Sequence, residues 1–333
     1  MKSNFEFLNR YWPALAQIGA VAESYVYSDA NACLYKLGMF GERLILEIFA
    51  FEHIKEPTID NTHANRIRLL KREGLIPKKI DDILYALRKT RNDAVHAGAD
   101  SVEDAKTLLS MTYNLAVWFM EVYGDWGYIA PAFVMPENVV QPDYESIIKE
   151  QEEKIVALSK QVEAVSTAAS TKTSKERAEK GETASESMEL SEAETRYLID
   201  EQLRKFGWEA DTNNLRYSKG TRPQKGRDLA IAEWPTDSVV GKNGYADYAL
   251  FVGLKLVGIV EAKKAAIDIP AVIDHQCKEY AKCIKAEHKE YIINQWGAYK
   301  VPFVFATNGR KYLKQIETKS GIWCLDLRSG ANA

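Results

Sequence analysis

Gly244-Tyr-Ala-Asp-Tyr-Ala-Leu-Phe-Val-Gly-Leu-Lys-Leu-Val-Gly-Ile-Val-Glu-Ala-Lys-Lys264 decides the fold of the C-terminal part of the chain. It holds a lone acid, Asp247, then an apolar run broken by small turn residues, then Glu261-Ala-Lys263. That pattern reads as the two strands of a hairpin. The stretch is close to symmetric about Leu254, so Gly253-Leu254-Lys255 is expected to form a three-residue loop. A symmetric register sets Asp247 opposite Glu261, whereas a slip of one residue would turn the acids away from each other. Glu261 and Lys263 are two apart and share a strand face.

Two carboxylates held side by side repel unless something positive stands between them. A divalent cation does this, and hard oxygen ligands favour Mg²⁺ or Mn²⁺. A lysine beside such a site can position a water and stabilise negative charge on a phosphate in the transition state. A bare D…ExK is a weak signal, because many edge strands end in solvated Glu-x-Lys.

The flanking sequence narrows the choice. Ser191-Glu-Ala-Glu194-Thr-Arg196, followed by Leu198, Ile199 and Leu203, reads as an amphipathic helix. Ser191 is its N-cap and Glu194 the capping-box acid, a role that competes with a place for Glu194 at a metal. Downstream, Gln276 and Tyr280 are four apart on a helix and share one face. Packing on that face is the plainer role for them, and it suits Tyr280 better than Gln276. Val301–Gly309 reads as a buried strand ending in a turn.

The order of helix, D…ExK hairpin, QxxxY helix, strand and Asn308-Gly309 resembles the PD-(D/E)xK nuclease domain of the restriction (R) subunit of type I restriction–modification enzymes. The likeness covers roughly residues 188–328. Also carrying it are Ile231-Ala-Glu-Trp-Pro235, Ala246-Asp-Tyr-Ala-Leu250 and Phe305-Ala-Thr-Asn-Gly309. The resemblance implies a restriction-endonuclease-like α/β domain with a mixed central sheet. It implies that Asp247, Glu261 and the Ala262 carbonyl hold Mg²⁺ or Mn²⁺. Lys263 would handle the water or the phosphate, Gln276 and Tyr280 would support the site or contact DNA, and Glu194 would be an additional acid. Implied partners are double-stranded DNA and the methyltransferase and specificity subunits of a type I complex. In that family the R subunit continues into a helicase-type ATPase. No GxxxxGK[ST] occurs here, so ATP would enter only through a motor outside this chain.

With 333 residues the chain is long enough for two domains. A formal net charge of −3 excludes a globally basic nucleic-acid binder but not a local groove. Lys219, Arg222, Lys225, Arg227, Lys263 and Lys264 flank the hairpin and are candidates to meet phosphates, or ordinary solvated charges. Cys33, Cys277, Cys283 and Cys324 have neither zinc spacing nor a disulfide framework, which suits a reducing cytoplasm. No stretch reads as a signal peptide or membrane span.

Residues 1–142 read as a helical bundle, with helical spacing over Ala30–Phe51, Asp81–Val95 and Val102–Tyr123, then a Pro-containing extended connection. Residues 143–187 read as a short heptad helix, Tyr144–Val165, and a flexible linker, Ser166–Ser187. The nuclease-like domain takes 188–333. Arg91-Asn92-Asp-Ala-Val-His96 resembles the RNxxxH motif of helical HEPN domains. Some of these are metal-independent RNases in which the Arg stabilises a phosphate and the His acts as acid or base. That likeness implies an alternative RNA-directed function at Arg91, Asn92 and His96; a structural pair of Arg91 and His96 is the plainer role. A third reading is non-catalytic, with the helical part docking partner subunits.

Overall fold

A computed structural model describes residues 3–56, 60–138, 172–238, 244–263, 269–307, 322–329 and 331–332. The chain divides into two compact units, Met1–Glu189 and Leu190–Ala333. The first is helical and the second carries a mixed sheet.

The helical unit contains α1 (Pro13–Tyr25), α2 (Ala30–Phe51), α3 (His63–Arg72), α4 (Lys78–Ala97), α5 (Val102–Phe119) and α6 (Ser174–Ser187). Proline at the first position of α1 sets φ where no backbone donor is needed. Asp29 caps α2 by accepting from Ala32 N at 2.9 Å. The residues that set the period of α2, Leu34, Leu37, Leu44, Ile45 and Ile48, are all buried. α2 and α4 approach closely at Gly38, where a Cβ would lie 2.3 Å from the Arg91 Cβ. Gly124 ends a π turn (Met120–Gly124) that prolongs α5, and 125–138 carries no helix or strand. The Tyr144–Val165 heptad lies outside the described residues.

Ser166–Ser187 was expected to be a flexible linker, yet its described part holds α6. Thr173 and Glu176 form a reciprocal capping box. The buried face is built from Arg177, Gly181, Ala184 and Ser185. Arg177 donates from Nε to Glu52 Oε1 at 2.6 Å and from Nη2 to Oε2 at 2.7 Å. Trp118 Nε1 donates to the Gly181 carbonyl at 3.0 Å, and Lys79 Nζ to the Met188 carbonyl at 2.7 Å. A helix without large apolar residues is thus held by an ion pair and by small residues that admit a neighbour's tryptophan.

The second unit begins with α7 (Glu192–Lys205), capped by Ser191 and Glu194 as its sequence requires. Among the described residues seven strands follow in sequential order, β1 (Glu209–Ala210), β2 (Asp228–Pro235), β3 (Tyr245–Val252), β4 (Lys255–Ala262), β5 (Phe303–Thr307), β6 (Ile322–Asp326) and β7 (Ala331–Asn332). β1–β2 and β4–β5 are parallel and the other pairs antiparallel. The β4–β5 crossover carries α8 (Ile269–Val272), a π turn (Ile273–Cys277) and α9 (Lys278–Lys282). One sheet face packs Ile231, Ala249, Phe251, Ile259 and Val304 with Ile273, Cys277 and Tyr280 from that crossover. The other packs Ala230, Ala232, Tyr248, Leu250 and Val260 with Ile199 of α7.

The β3–β4 turn differs from the expected loop. Val252 pairs with Lys255, so only Gly253-Leu254 is unpaired, with Gly253 at φ +56°. That is the first central position, where a type II′ turn calls for glycine. An irregularity at Val257 adds back one residue, and beyond it Ala249 pairs with Ile259 and Tyr248 with Val260. Continued by one residue, this register sets Asp247 opposite Glu261. The shorter turn and the bulge compensate, so the symmetric register holds although the three-residue loop does not.

Candidate active site

Three charged groups converge at the open end of the β3–β4 hairpin. Asp247 Oδ2 accepts from the Ala262 backbone N–H at 2.8 Å, which ties the acid of β3 to the end of β4. Glu261 is 3% exposed and its Oε1 is ion-paired with Lys263. Its Oε2 is buried without a hydrogen-bond partner. The Lys263 backbone N–H donates to the Thr307 carbonyl at 2.8 Å, extending the β4–β5 ladder past the last strand residue.

Burial raises the pKa of both acids. Glu261 is pushed up to about 7, first by desolvation and next by the charge of Asp247, with Lys263 acting in the opposite direction. Asp247 is raised by desolvation too, against the pull of Arg196, the Ala262 N–H and Lys263. A buried carboxylate pair with an unpartnered oxygen is a donor set suited to a hard divalent cation, which would relieve both penalties. Asp247 and Glu261 therefore fit a metal, although among the described residues no group of three or more His, Cys, Asp or Glu side chains forms a metal cluster.

Gln276 lies in the π turn and Tyr280 in α9, one helical turn apart. The Tyr280 hydroxyl pKa is raised by burial first and then by the charges of Glu261 and Asp247, and its ring packs in the core with Ile273 and Cys277. Single-turn π segments recur at functional sites because they re-aim a helix face. Here the turn also brings Cys277 close enough for Glu261 to raise its thiol pKa, after the larger effect of burial. His275 is exposed.

Glu194 occupies its capping box, with Oε2 accepting from Ser191 N at 2.7 Å. Two residues on, Arg196 reaches the site. Its Nη2 donates to Asp247 Oδ1 at 2.9 Å, and Nη1 lies 3.5 Å from Glu233 Oε1. Neither Arg196 nor Glu233 stood out in the sequence as a site residue. The only available signal was their place inside the SEAETR and IAEWP stretches.

Residues 209–333 match a family model described as the second domain of the type I restriction enzyme EcoKI endonuclease subunit. The chain is 32% identical, over 406 aligned residues, to the type I restriction enzyme EcoKI endonuclease subunit of Escherichia coli (strain K12). The chain is a homologue of a type I restriction endonuclease subunit. The alignment covers 99% of this chain and 34% of that relative, so the chain spans about a third of the relative's length. Residues 21–164 match a family described as a domain of unknown function (DUF4145). No solved structure matches.

Within this restriction-subunit homologue, Asp247, Glu261, Lys263, Gln276 and Tyr280 all fall in the matched 209–333 region. The basic loop before β2 is mostly committed to its own fold. Arg222 Nη1 donates to the Tyr217 and Thr221 carbonyls at 3.1 and 2.8 Å and its guanidinium lies 3.6 Å from the Tyr217 ring centroid. Arg227 pairs with Glu209, which leaves Lys219 and Lys225 as the exposed cations of that loop without such ties.

The helical unit presents the other candidate differently. Arg91 is ion-paired with Glu42, its guanidinium sits 5.3 Å from the Tyr35 ring centroid, and its stem packs on Gly38. Asn92 and His96 are exposed on α4. Arg91 is thus placed as a packing residue between α2 and α4. Among the described residues no helix is long and apolar enough to cross a membrane.

Proposed function

We propose that the chain is the nuclease portion of a type I restriction subunit, hydrolysing DNA phosphodiesters with Mg²⁺ or Mn²⁺ at the end of the β3–β4 hairpin. The observation that carries this reading is the buried Asp247–Glu261 pair, with one unpartnered oxygen and Lys263 alongside. Asp247, Glu261 and the Ala262 carbonyl would hold the ion, which when bound lowers the pKa of a water and offsets phosphate charge. Lys263 orients the attacking water and stabilises the negative charge that builds on the phosphate oxygens. Gln276 and Tyr280, from the crossover packed on this sheet face, would support the site or contact DNA.

The mixed sheet with helices on both faces is consistent with a restriction-endonuclease-like domain, and the packed helices of the first unit with a HEPN-like bundle. In this reading double-stranded DNA is the substrate, and methyltransferase and specificity subunits in the cytoplasm are the partners. They supply sequence recognition, and ATP acts through a motor. The helical unit serves as the platform on which such partners dock.

The test is cleavage of plasmid DNA and structured RNA with Mn²⁺, with and without EDTA, by the wild type and Lys263→Ala. DNA cutting that needs metal and is lost in the variant is expected. Retained cutting by the variant, or EDTA-resistant RNA cutting, would overturn the assignment.

A further inference from the structure

We infer that Arg196 and Glu233 form a positioning clamp that orients Asp247, an inference that rests on the proposed metal site. Glu233 adopts φ +51° inside β2. A left-handed backbone strains any residue but glycine, so it persists only where its surroundings hold it. Its neighbours pair regularly, Ala232 with Tyr248 and Trp234 with Ala246, so Glu233 stands opposite Asp247 at the one interrupted step. The carboxylate that this distortion presents meets two arginines. Arg216 Nη2 lies 3.2 Å and Arg196 Nη1 3.5 Å from Glu233 Oε1.

Arg196 then passes the restraint on. Arg196 stands between the acids: Nη2 donates to Asp247 Oδ1 and lies 3.1 Å from Glu192 Oε1, while Nη1, buried without a hydrogen-bond partner, stands 3.5 Å from Glu233 Oε1 as a charge contact. The Arg196 and Asp247 side chains are 15% and 16% exposed, so their ion pair is largely withdrawn from water, whereas Glu233 and Glu192 keep contact with it. Asp247 is gripped on both oxygens, Oδ1 by Arg196 and Oδ2 by the Ala262 N–H. Each oxygen keeps a further lone pair, and the carboxylate plane is fixed. Lysine can supply the charge but not the fork, because its ammonium is a single point.

The experiment is Mn²⁺ binding to the full chain by calorimetry at constant pH, for the wild type, Arg196→Lys, Glu233→Gln and the double variant, with thermal melts of each. Partners that orient a ligand typically change metal affinity about 10–100-fold. Arg196→Lys, which preserves charge, is expected to weaken Mn²⁺ binding on the order of ten-fold. Glu233→Gln is expected to weaken it by a comparable factor, and the double variant no further than the worse single one, since both act on one carboxylate. Wild-type affinity in Arg196→Lys, or additive losses in the double variant, would overturn the clamp while leaving the metal site standing. A wild type that binds no Mn²⁺ would overturn the metal reading itself.

Discussion

Glu261→Gln is expected to stabilise the sheet unit when metal is absent. In the folded protein Glu261 is pushed from 4.5 up to about 7. A displacement of that size corresponds to about 3 kcal/mol of penalty against the ionised form. The sign follows from proton binding. Below pH 4.5 Glu261 is protonated whether folded or unfolded and the penalty is absent. Between 4.5 and about 7 the unfolded chain loses the proton first, so stability falls as pH rises; above 7 the whole penalty is present. Glutamine never ionises and removes that slope. It forfeits the Lys263 ion pair, whose lysine is 24% exposed and is re-solvated at little cost. The net gain at pH 8 with EDTA is then about 1–2 kcal/mol, and near zero at pH 4.5. Hydrogen exchange of the β3–β4 amides at the two pH values reads this unit separately from the helical one. An unchanged pH slope, or a variant less stable than wild type at pH 8, would refute the buried-pair reasoning. Added Mn²⁺ should stabilise the wild type and leave Glu261→Gln nearly unmoved.

Three further outcomes are expected. His96→Ala should keep wild-type metal-dependent DNA cutting, because His96 is exposed on α4 in the other unit; loss of cutting in a folded variant would move the chemistry there. Glu52→Gln leaves Arg177 partly unpaired in a buried setting and should cost about 3–5 kcal/mol in denaturant titration of the helical unit. The existing pair is strong enough that Glu52 lies below its usual pKa despite burial, through hydrogen bonds from Arg177 and Ser174. Gly38→Ala places a Cβ 2.3 Å from the Arg91 stem and should cost on the order of 1–3 kcal/mol, seen as a lower melting temperature. A neutral Gly38→Ala would show that α2 and α4 can separate freely.

The hairpin was legible because strand alternation and the near-symmetry about Leu254 act over a few residues. The details of its turn were not, since a two-residue turn with a bulge and a three-residue loop place Asp247 at the same register. The cap of α7 was legible for the same local reason, as Ser191 and Glu194 satisfy donors within one turn. α6 was not. Beyond its Thr173–Glu176 capping box, its face of Arg177, Gly181, Ala184 and Ser185 has no apolar period, and that face is held by Glu52 and Trp118, 125 and 63 residues away.

The sequence by itself determined the two kinds of secondary structure, the D…ExK pair with its lysine, and the capped helix before it. These depend on interactions between near neighbours and on side-chain periodicity. Only the tertiary structure decided that Arg196 would hold Asp247 across 51 residues, that Glu233 would break the ladder opposite it, and that Glu261 would be buried with a free oxygen. The physical reason is that charge pairing and desolvation act through space, and no local pattern in the chain records which distant groups share a low-dielectric site.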